Sequence, residues 1–255
     1  MTQKKRKEIA QRALGMVDLT DLTDSCNKAA IEDLCTRAQT PFGPVGAICI
    51  WPRYVAHAHK LLRGTGIPIA TVVNFPGGNQ SIDITVAETH AALDDGAHEI
   101  DMVIPYQMLK NEDEAQVQAM LVAMRTATAN KALLKVIIEA GELKEEALIH
   151  RASDLAIQAG ADFIKTSTGK VPVNATPEFA KIMINAIAES KKQVGFKPAG
   201  GIKTTEDCGV YLDLADDIMG ADWAQPQTMR FGASSVLDDL LSALDGGEQV
   251  TGTGY

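Results

Sequence analysis

The chain alternates short runs of apolar, β-branched residues with longer amphipathic segments, and this rhythm constrains its fold more than any other feature. Eight runs read as strands. They are VGAICI from Val45, IATVVNF from Ile69, EIDMVI from Glu99, LLKVIIE from Leu133, FIKTST from Phe163, VGFKPAG from Val194, DIMGA from Asp217 and RFGASS from Arg230. Between them lie helical stretches such as ITVAETHAALDDGA and ELKEEALIHRASDLAIQAGA. The latter brings Leu143, Ala147, Leu148, Leu155 and Ile157 near one face. Two of these stretches close on Gly-Ala, at Gly96-Ala97 and Gly160-Ala161, and glycine is the usual helix stop. Strands alternating with helices predict a parallel sheet in an α/β fold, either an open doubly wound sheet or a closed barrel. Eight short strands in 255 residues favour a single (β/α)8 barrel of the TIM type. No Pro/Ser-rich linker divides the chain, so one domain is expected over residues 1–255. The basic start MTQKKRKEIAQRAL reads as an extra N-terminal helix with a solvated face, and residues 246–255, GGEQVTGTGY, as a flexible C-terminal tail.

Charge and cysteine usage exclude several function classes. The formal net charge of −9 argues against nucleic acid or an anionic membrane as a partner, but leaves room for a phosphorylated substrate held by a few local donors. No apolar run reaches membrane-spanning length, and the N-terminus lacks the apolar core of a secretory signal. Cys26, Cys35, Cys49 and Cys208 form no C-x-x-C pair and stand beside no histidine cluster. Neither a zinc site nor a disulfide framework is expected, and reduced thiols point to the cytoplasm. His57, His59, His90, His98 and His150 fall in helical stretches or just before a strand and read as surface residues.

Side-chain parity locates the chemistry. Successive strand residues point to opposite faces. With Ile100, Met102 and Ile104 turned to the helices, Glu99, Asp101 and Val103 face the barrel interior. The same reasoning turns Lys135, Ile137 and Glu139 inward, and Lys165 opposite Ile164. Bulky Phe196 packs outward and so turns Lys197 inward. Barrel interiors are normally filled by branched apolar side chains, and an unpaired buried charge costs several kcal/mol. A structural ion-pair network can account for Glu99, Lys135 and Glu139. It is a poorer account of all the inward charges together, because Lys165 and Lys197 lie close to the strand C-termini, where active sites of this fold sit. Two adjacent lysines depress one another's basicity. A lysine so depressed offers a free amine that can attack a carbonyl and form an imine, with Asp101 as proton relay. Parity does not say which of the two lysines is the nucleophile.

Three segments can hold phosphate. KTSTGK, after the fifth predicted strand, offers Ser167, Thr168, Gly169 and Lys170. PAGG ends the sixth at Gly200 and Gly201, where only glycine allows close approach. FGASS ends the eighth at Gly232, Ser234 and Ser235, and opens the last helix. Cys49 has inward parity but reads more readily as a small buried hydrophobe. Asp18, in MVDLTDLT ahead of the first predicted strand, reads as a helix-terminus acceptor or a substrate contact.

At FIKTSTGK, GFKPAGGI, LLKVIIEAGEL, AICIWPR, EIDMVIPY and RFGASS the sequence resembles the deoxyribose-phosphate aldolase family, over nearly its whole length. The departures, Gly77-Gly78 in NFPGGN and Lys203 after GGI, fall on loops. The resemblance implies a class I aldolase that reversibly cleaves 2-deoxy-D-ribose 5-phosphate to acetaldehyde and D-glyceraldehyde 3-phosphate. It makes Lys165 the Schiff-base lysine, Lys197 the second lysine that lowers its basicity and relays protons, and Asp101 the acid/base. It places Lys170, Gly201, Ser234 and Ser235 around the substrate phosphate, and Cys49, Thr168, Gly169, Gly200 and Gly232 are read as substrate contacts beside them. The resemblance extends to a terminal tyrosine, and Tyr255 is expected to fold over the barrel mouth and assist proton transfer. No metal and no organic cofactor is implied. The expected partners are the phosphorylated sugar and the aldehydes, with a homodimer as a candidate assembly. A transaldolase-like or hydroxy-acid aldolase, or a non-catalytic sugar-phosphate binder, is the alternative, and two inward lysines speak against the binder.

Overall fold

The computed structural model describes residues 1–250. Eight strands form one parallel sheet: β1 Val17–Asp21, β2 Ala47–Ile50, β3 Ile69–Val73, β4 Glu99–Val103, β5 Leu133–Ile137, β6 Phe163–Lys165, β7 Gly195–Lys197 and β8 Phe231–Ala233. The order runs β8-β1-β2-β3-β4-β5-β6-β7. The remaining seam, between β7 and β8, is drawn together by backbone bonds, the three shortest of which follow. Phe196 N–H donates to Thr228 O (2.8 Å), Arg230 N–H to Phe196 O (3.0 Å) and Gly232 N–H to Pro198 O (2.9 Å). The expected (β/α)8 barrel is therefore the observed one.

Eleven helices in the described residues surround it. They are α1 Gln3–Ala13, α2 Lys28–Arg37, α3 Val55–Leu61, α4 Ile82–Asp94, α5 Tyr106–Lys110 and α6 Glu114–Thr128. They continue with α7 Ala140–Leu143, α8 Glu146–Gln158, α9 Pro177–Ser190, α10 Thr205–Met219 and α11 Val236–Asp245. No helix among the described residues is long and apolar enough to cross a membrane. Helix α1 is the expected extra N-terminal helix. The buried apolar residues form two clusters, and Val103 and Ile137, of inward parity near the strand ends, join the larger one. Ile48, Ile50, Ile100, Met102, Leu134, Val136, Ile164, Phe196 and Phe231 join the large cluster under the helices. Leu22, Cys49, Ala70 and Val72 form a separate small cluster inside the barrel. Burying one such outer side chain contributes roughly 1.5–3 kcal/mol, so the outer layer carries the fold and leaves the interior free for polar groups.

The structure corrects two strand assignments. The first barrel strand is Val17–Asp21, ahead of the run at Val45 that reads as the first strand in the sequence. Its inward positions carry Asp18 and Thr20, which interrupt the apolar run that would have marked it. DIMGA is no strand: Asp217–Met219 are the last residues of α10, and Gly220 follows as its cap. That helix is started by a reciprocal capping box between Thr204 and Asp207, whose propagation overrides a three-residue apolar run. FIKTST is therefore the sixth strand and GFK the seventh. Strand β5 also stops at Ile137, so Glu139 lies past its end and the parity that placed it inward does not reach it.

The first half of the expected flexible tail is tied down. Gln3 Nε2 donates to Gly246 O (2.5 Å), Arg6 to Gly247 O (2.7 Å), and Val250 N–H to the Asp239 carboxylate (2.6 Å). The rest, with Tyr255, lies outside the described residues.

Candidate active site

Seven charged side chains meet inside the barrel. Asp101 and Lys135 are register partners on β4 and β5, and Lys165 and Lys197 on β6 and β7. Lys135 Nζ donates to Asp18 (3.1 Å), Asp101 (3.1 Å) and Glu99. Lys197 Nζ donates to Asp18 (2.5 Å) and Asp101 (2.7 Å). Among the described residues, Lys165 Nζ donates to Asp101 alone (2.8 Å). Arg230, the residue just before β8, reaches in to Asp18 (2.7 Å) and Glu99 (3.0 Å), and its guanidinium packs over the Phe163 ring. Glycines make the space: a Cβ on Gly195 would stand 2.3 Å from the Phe163 ring, and one on Gly232 3.2 Å from the Lys197 side chain.

The electrostatics of the cluster are set by burial against ion pairing. Burial alone would raise the Asp101 and Asp18 carboxyls, but the surrounding lysines, with Arg230 for Asp18, hold both well below the usual carboxylate range. Burial alone would lower Lys135 and Lys197, but the attraction of Asp101 and Asp18 holds both above the ordinary lysine range. The two adjacent lysines therefore do not simply repel: Asp101 Oδ2 stands between them and accepts from both.

The pocket opens at the C-terminal ends of the strands, in the place the fold reserves for chemistry. It holds about 390 Å³, counted to its open mouth, and Lys165 is the interior lysine that lines it. Of the sequence-predicted residues, Thr168, Gly169, Gly200, Gly201, Gly232 and Ser234 line it as well. Gly201 has a φ of 85°, which any other residue would adopt only under strain. Ser235 is buried at the start of α11. Lys170 turns its ammonium to Leu22 O (2.7 Å) and packs near the Trp51 ring. Cys49 is wholly buried inside the barrel, where burial pushes its thiol up. Asp101 and Lys197 lie beneath the pocket floor, linked to it through Lys165. Glu99 and Lys135 do pair, whereas Glu139 takes no part in that cluster and accepts the Thr168 N–H (3.1 Å). Sequence reading missed Arg230 and undervalued Asp18. Asp18 sits at inward parity on β1 and Arg230 immediately before β8, on either side of the β8–β1 seam, a relation visible only once the barrel closes. The five histidines stand apart from the pocket.

Comparison with known proteins identifies the family. Residues 12–241 match the model of the DeoC/LacD family aldolases. The chain is 56% identical to the deoxyribose-phosphate aldolase of Agrobacterium fabrum, over 97% of this chain and 96% of that protein. Among solved structures, a candidate deoxyribose-phosphate aldolase from Toxoplasma gondii superposes with a TM-score of 0.86 at 23% identity, covering 96% of each chain. The deoxyribose phosphate aldolase of Aeropyrum pernix gives 0.75 at 22%, covering 93% of this chain and 91% of that one. The structural likeness carries the barrel, and the sequence match carries the family. A barrel whose pocket is floored by a buried lysine–carboxylate cluster, read together with these matches, makes the chain a carbon–carbon lyase that belongs to the DeoC/LacD family of aldolases.

Proposed function

We propose that the whole barrel serves as one catalytic domain, with 2-deoxy-D-ribose 5-phosphate as substrate and Lys165 as the covalent nucleophile. One observation carries this reading: among the described residues, of the three interior lysines, Lys165 has a single carboxylate partner and lines the pocket, while Lys135 has three such partners and Lys197 two. Freeing the Lys165 amine breaks the fewest ion pairs. The amine attacks the C1 aldehyde of the open-chain sugar, and loss of water gives the iminium. Removal of the 3-hydroxyl proton then breaks C2–C3. Glyceraldehyde 3-phosphate leaves, and the electron pair moves into the iminium to give an enamine. Protonation at C2 and hydrolysis release acetaldehyde.

Asp101 accepts from both lysine ammonium groups on one oxygen, so it can exchange a proton directly with Lys165 while Lys197 holds its carboxylate in place. Gly200, Gly201, Gly232, Ser234 and Ser235 surround the mouth beside the N-terminus of α11, an arrangement suited to the phosphate. Thr168, Gly169 and Lys170 flank the sugar. Cys49 forms part of the apolar interior behind Lys165. Tyr255 assists the proton transfer at C2, a role that rests on the family resemblance alone. Free, buried cysteines fit a reducing compartment, the cytoplasm.

The test is direct. Incubation with 2-deoxy-D-ribose 5-phosphate yields glyceraldehyde 3-phosphate, and borohydride with acetaldehyde leaves a reduced two-carbon adduct that peptide mass spectrometry maps to Lys165. An adduct on Lys197, or none, refutes the assignment.

A further inference from the structure

Glu139 stands outside the ion cluster and has an unusual environment. Its residue is wholly buried, and its backbone is left-handed, φ 54° and ψ 57°, at the junction of β5 and α7. One carboxyl oxygen accepts the Thr168 N–H at 3.1 Å, while the other, Oε2, has no partner. Burial pushes the carboxyl up against the opposing pull of the Thr168 bonds and of Lys165. A left-handed non-glycine residue and an unpartnered buried carboxyl oxygen are each costly, and such costs persist chiefly where function needs them.

The neighbouring contacts show what the residue holds. Ile138 N–H donates to Lys165 O (3.0 Å) and Ala140 N–H to Thr166 O (2.9 Å), so the two chain segments run stitched together past the ends of β5 and β6. Gly141 packs so closely on this loop that a Cβ would stand 1.9 Å from Val173 O. Beyond Thr166 the backbone stitching passes to the Glu139 side chain. Thr168 in turn accepts the Lys170 N–H on its hydroxyl (3.0 Å), and Lys170 bonds Leu22 O. Thr168 and Gly169 line the pocket next to Lys165.

We propose that Glu139 is a positioning residue for the sugar phosphate: by holding the Thr168 amide it sets the Thr168–Lys170 turn of the pocket wall, and it acts on the substrate through that turn. It does not act on the imine, because Lys165 is held by β6 and by Asp101 independently of the turn. The proposal rests on the function given above. It separates two steps, since acetaldehyde needs only the lysine, whereas the phosphorylated sugar needs the wall.

The experiment compares native enzyme with E139Q, E139D and E139L. The readouts are KM and kcat for 2-deoxy-D-ribose 5-phosphate and the rate of borohydride-trapped adduct formation with acetaldehyde. E139Q keeps an oxygen in place and retains KM within about twofold. E139D withdraws the oxygen and E139L removes it, leaving a buried N–H unpaired, so KM rises about tenfold or more. The acetaldehyde trapping rate stays within about twofold throughout. Unchanged KM in E139D, failure of E139Q to restore KM, or a parallel fall in trapping overturns the proposal. If E139L does not fold, E139D and E139Q decide it. A native enzyme that traps no acetaldehyde refutes the aldolase reading as well, whereas native trapping with unchanged KM in the variants refutes only the role of Glu139.

Discussion

Lys165 is the surplus cation of the interior. Asp18, Glu99 and Asp101 carry three formal negative charges against four positive ones on Lys135, Lys165, Lys197 and Arg230. Removing Lys165 balances the cluster, while removing Lys135 leaves three carboxylates short of their shared partner. Lys135→Met therefore destabilises the fold by about 3–5 kcal/mol, the range for breaking a buried pair from one side. Lys165→Met changes stability by less than about 1 kcal/mol yet abolishes sugar-phosphate cleavage. Urea unfolding midpoints of the two variants check this, and equal losses would show that the cluster does not distinguish its lysines. At this scale much of the site was legible in the sequence. The inward parity of Asp101, Lys165 and Lys197 follows from period-two alternation, a local property. Parity could not choose between the lysines, because the choice depends on how many carboxylates each meets, and those come from strands far apart in sequence.

At the scale of elements, Asp239 of α11 joins four segments. Its buried carboxylate accepts from Arg6 of α1 (2.5 Å), from the Thr205 backbone and hydroxyl at the start of α10 (2.7 Å each), and from Val250 N–H (2.6 Å). Burial would raise this carboxyl, but these bonds and the Arg6 charge hold it below the ordinary range. Asp239→Ala strips a buried guanidinium and a helix N-terminus of their acceptor together and costs about 2–4 kcal/mol. Hydrogen exchange should show α1 and residues 246–250 loosening before the barrel strands. Uniform loosening would mean that the residue supports the barrel as a whole. Elements with strong local patterns, such as β4, β5 and α8, were legible from periodicity. Strand β1 was not, because its inward polar residues erase the apolar run, and the end of α10 was mistaken for a strand because three residues carry too little periodicity to separate the two.

For the whole molecule, the interior cluster makes stability depend on pH. Asp18 and Asp101 titrate below their unfolded value of about 3.9, so their contribution is present above that pH and is lost as pH falls through their folded values. Stability is expected to hold from neutral pH to about 5 and to fall progressively below about 4. Glu139 acts in the opposite sense: its raised carboxyl is best accommodated neutral, and that contribution fades as pH rises through its folded value. Urea unfolding from pH 3 to 8 checks both limbs, with Asp101→Asn flattening the acid limb and Glu139→Gln the other. An acid limb of unchanged slope in Asp101→Asn would place the proton-linked stability elsewhere.

Local pattern is enough to specify the alternation of strands and helices, the parallel sheet, the lysines and carboxylate turned inward, and the glycine- and serine-rich turns at the strand ends. Each is a matter of local periodicity or of one residue's backbone freedom, and neighbours along the chain suffice to express it. It takes the closed barrel to show that Asp18 and Arg230 complete the ion cluster, that Asp101 lies between Lys165 and Lys197, and that Glu139 stands outside that cluster against the Thr168 amide. Those outcomes depend on closing β8 against β1 and β7, which brings side chains more than 200 residues apart, Asp18 and Arg230, to 2.7 Å. Burial then makes their pairing obligatory, because an unpaired charge in that interior costs several kcal/mol.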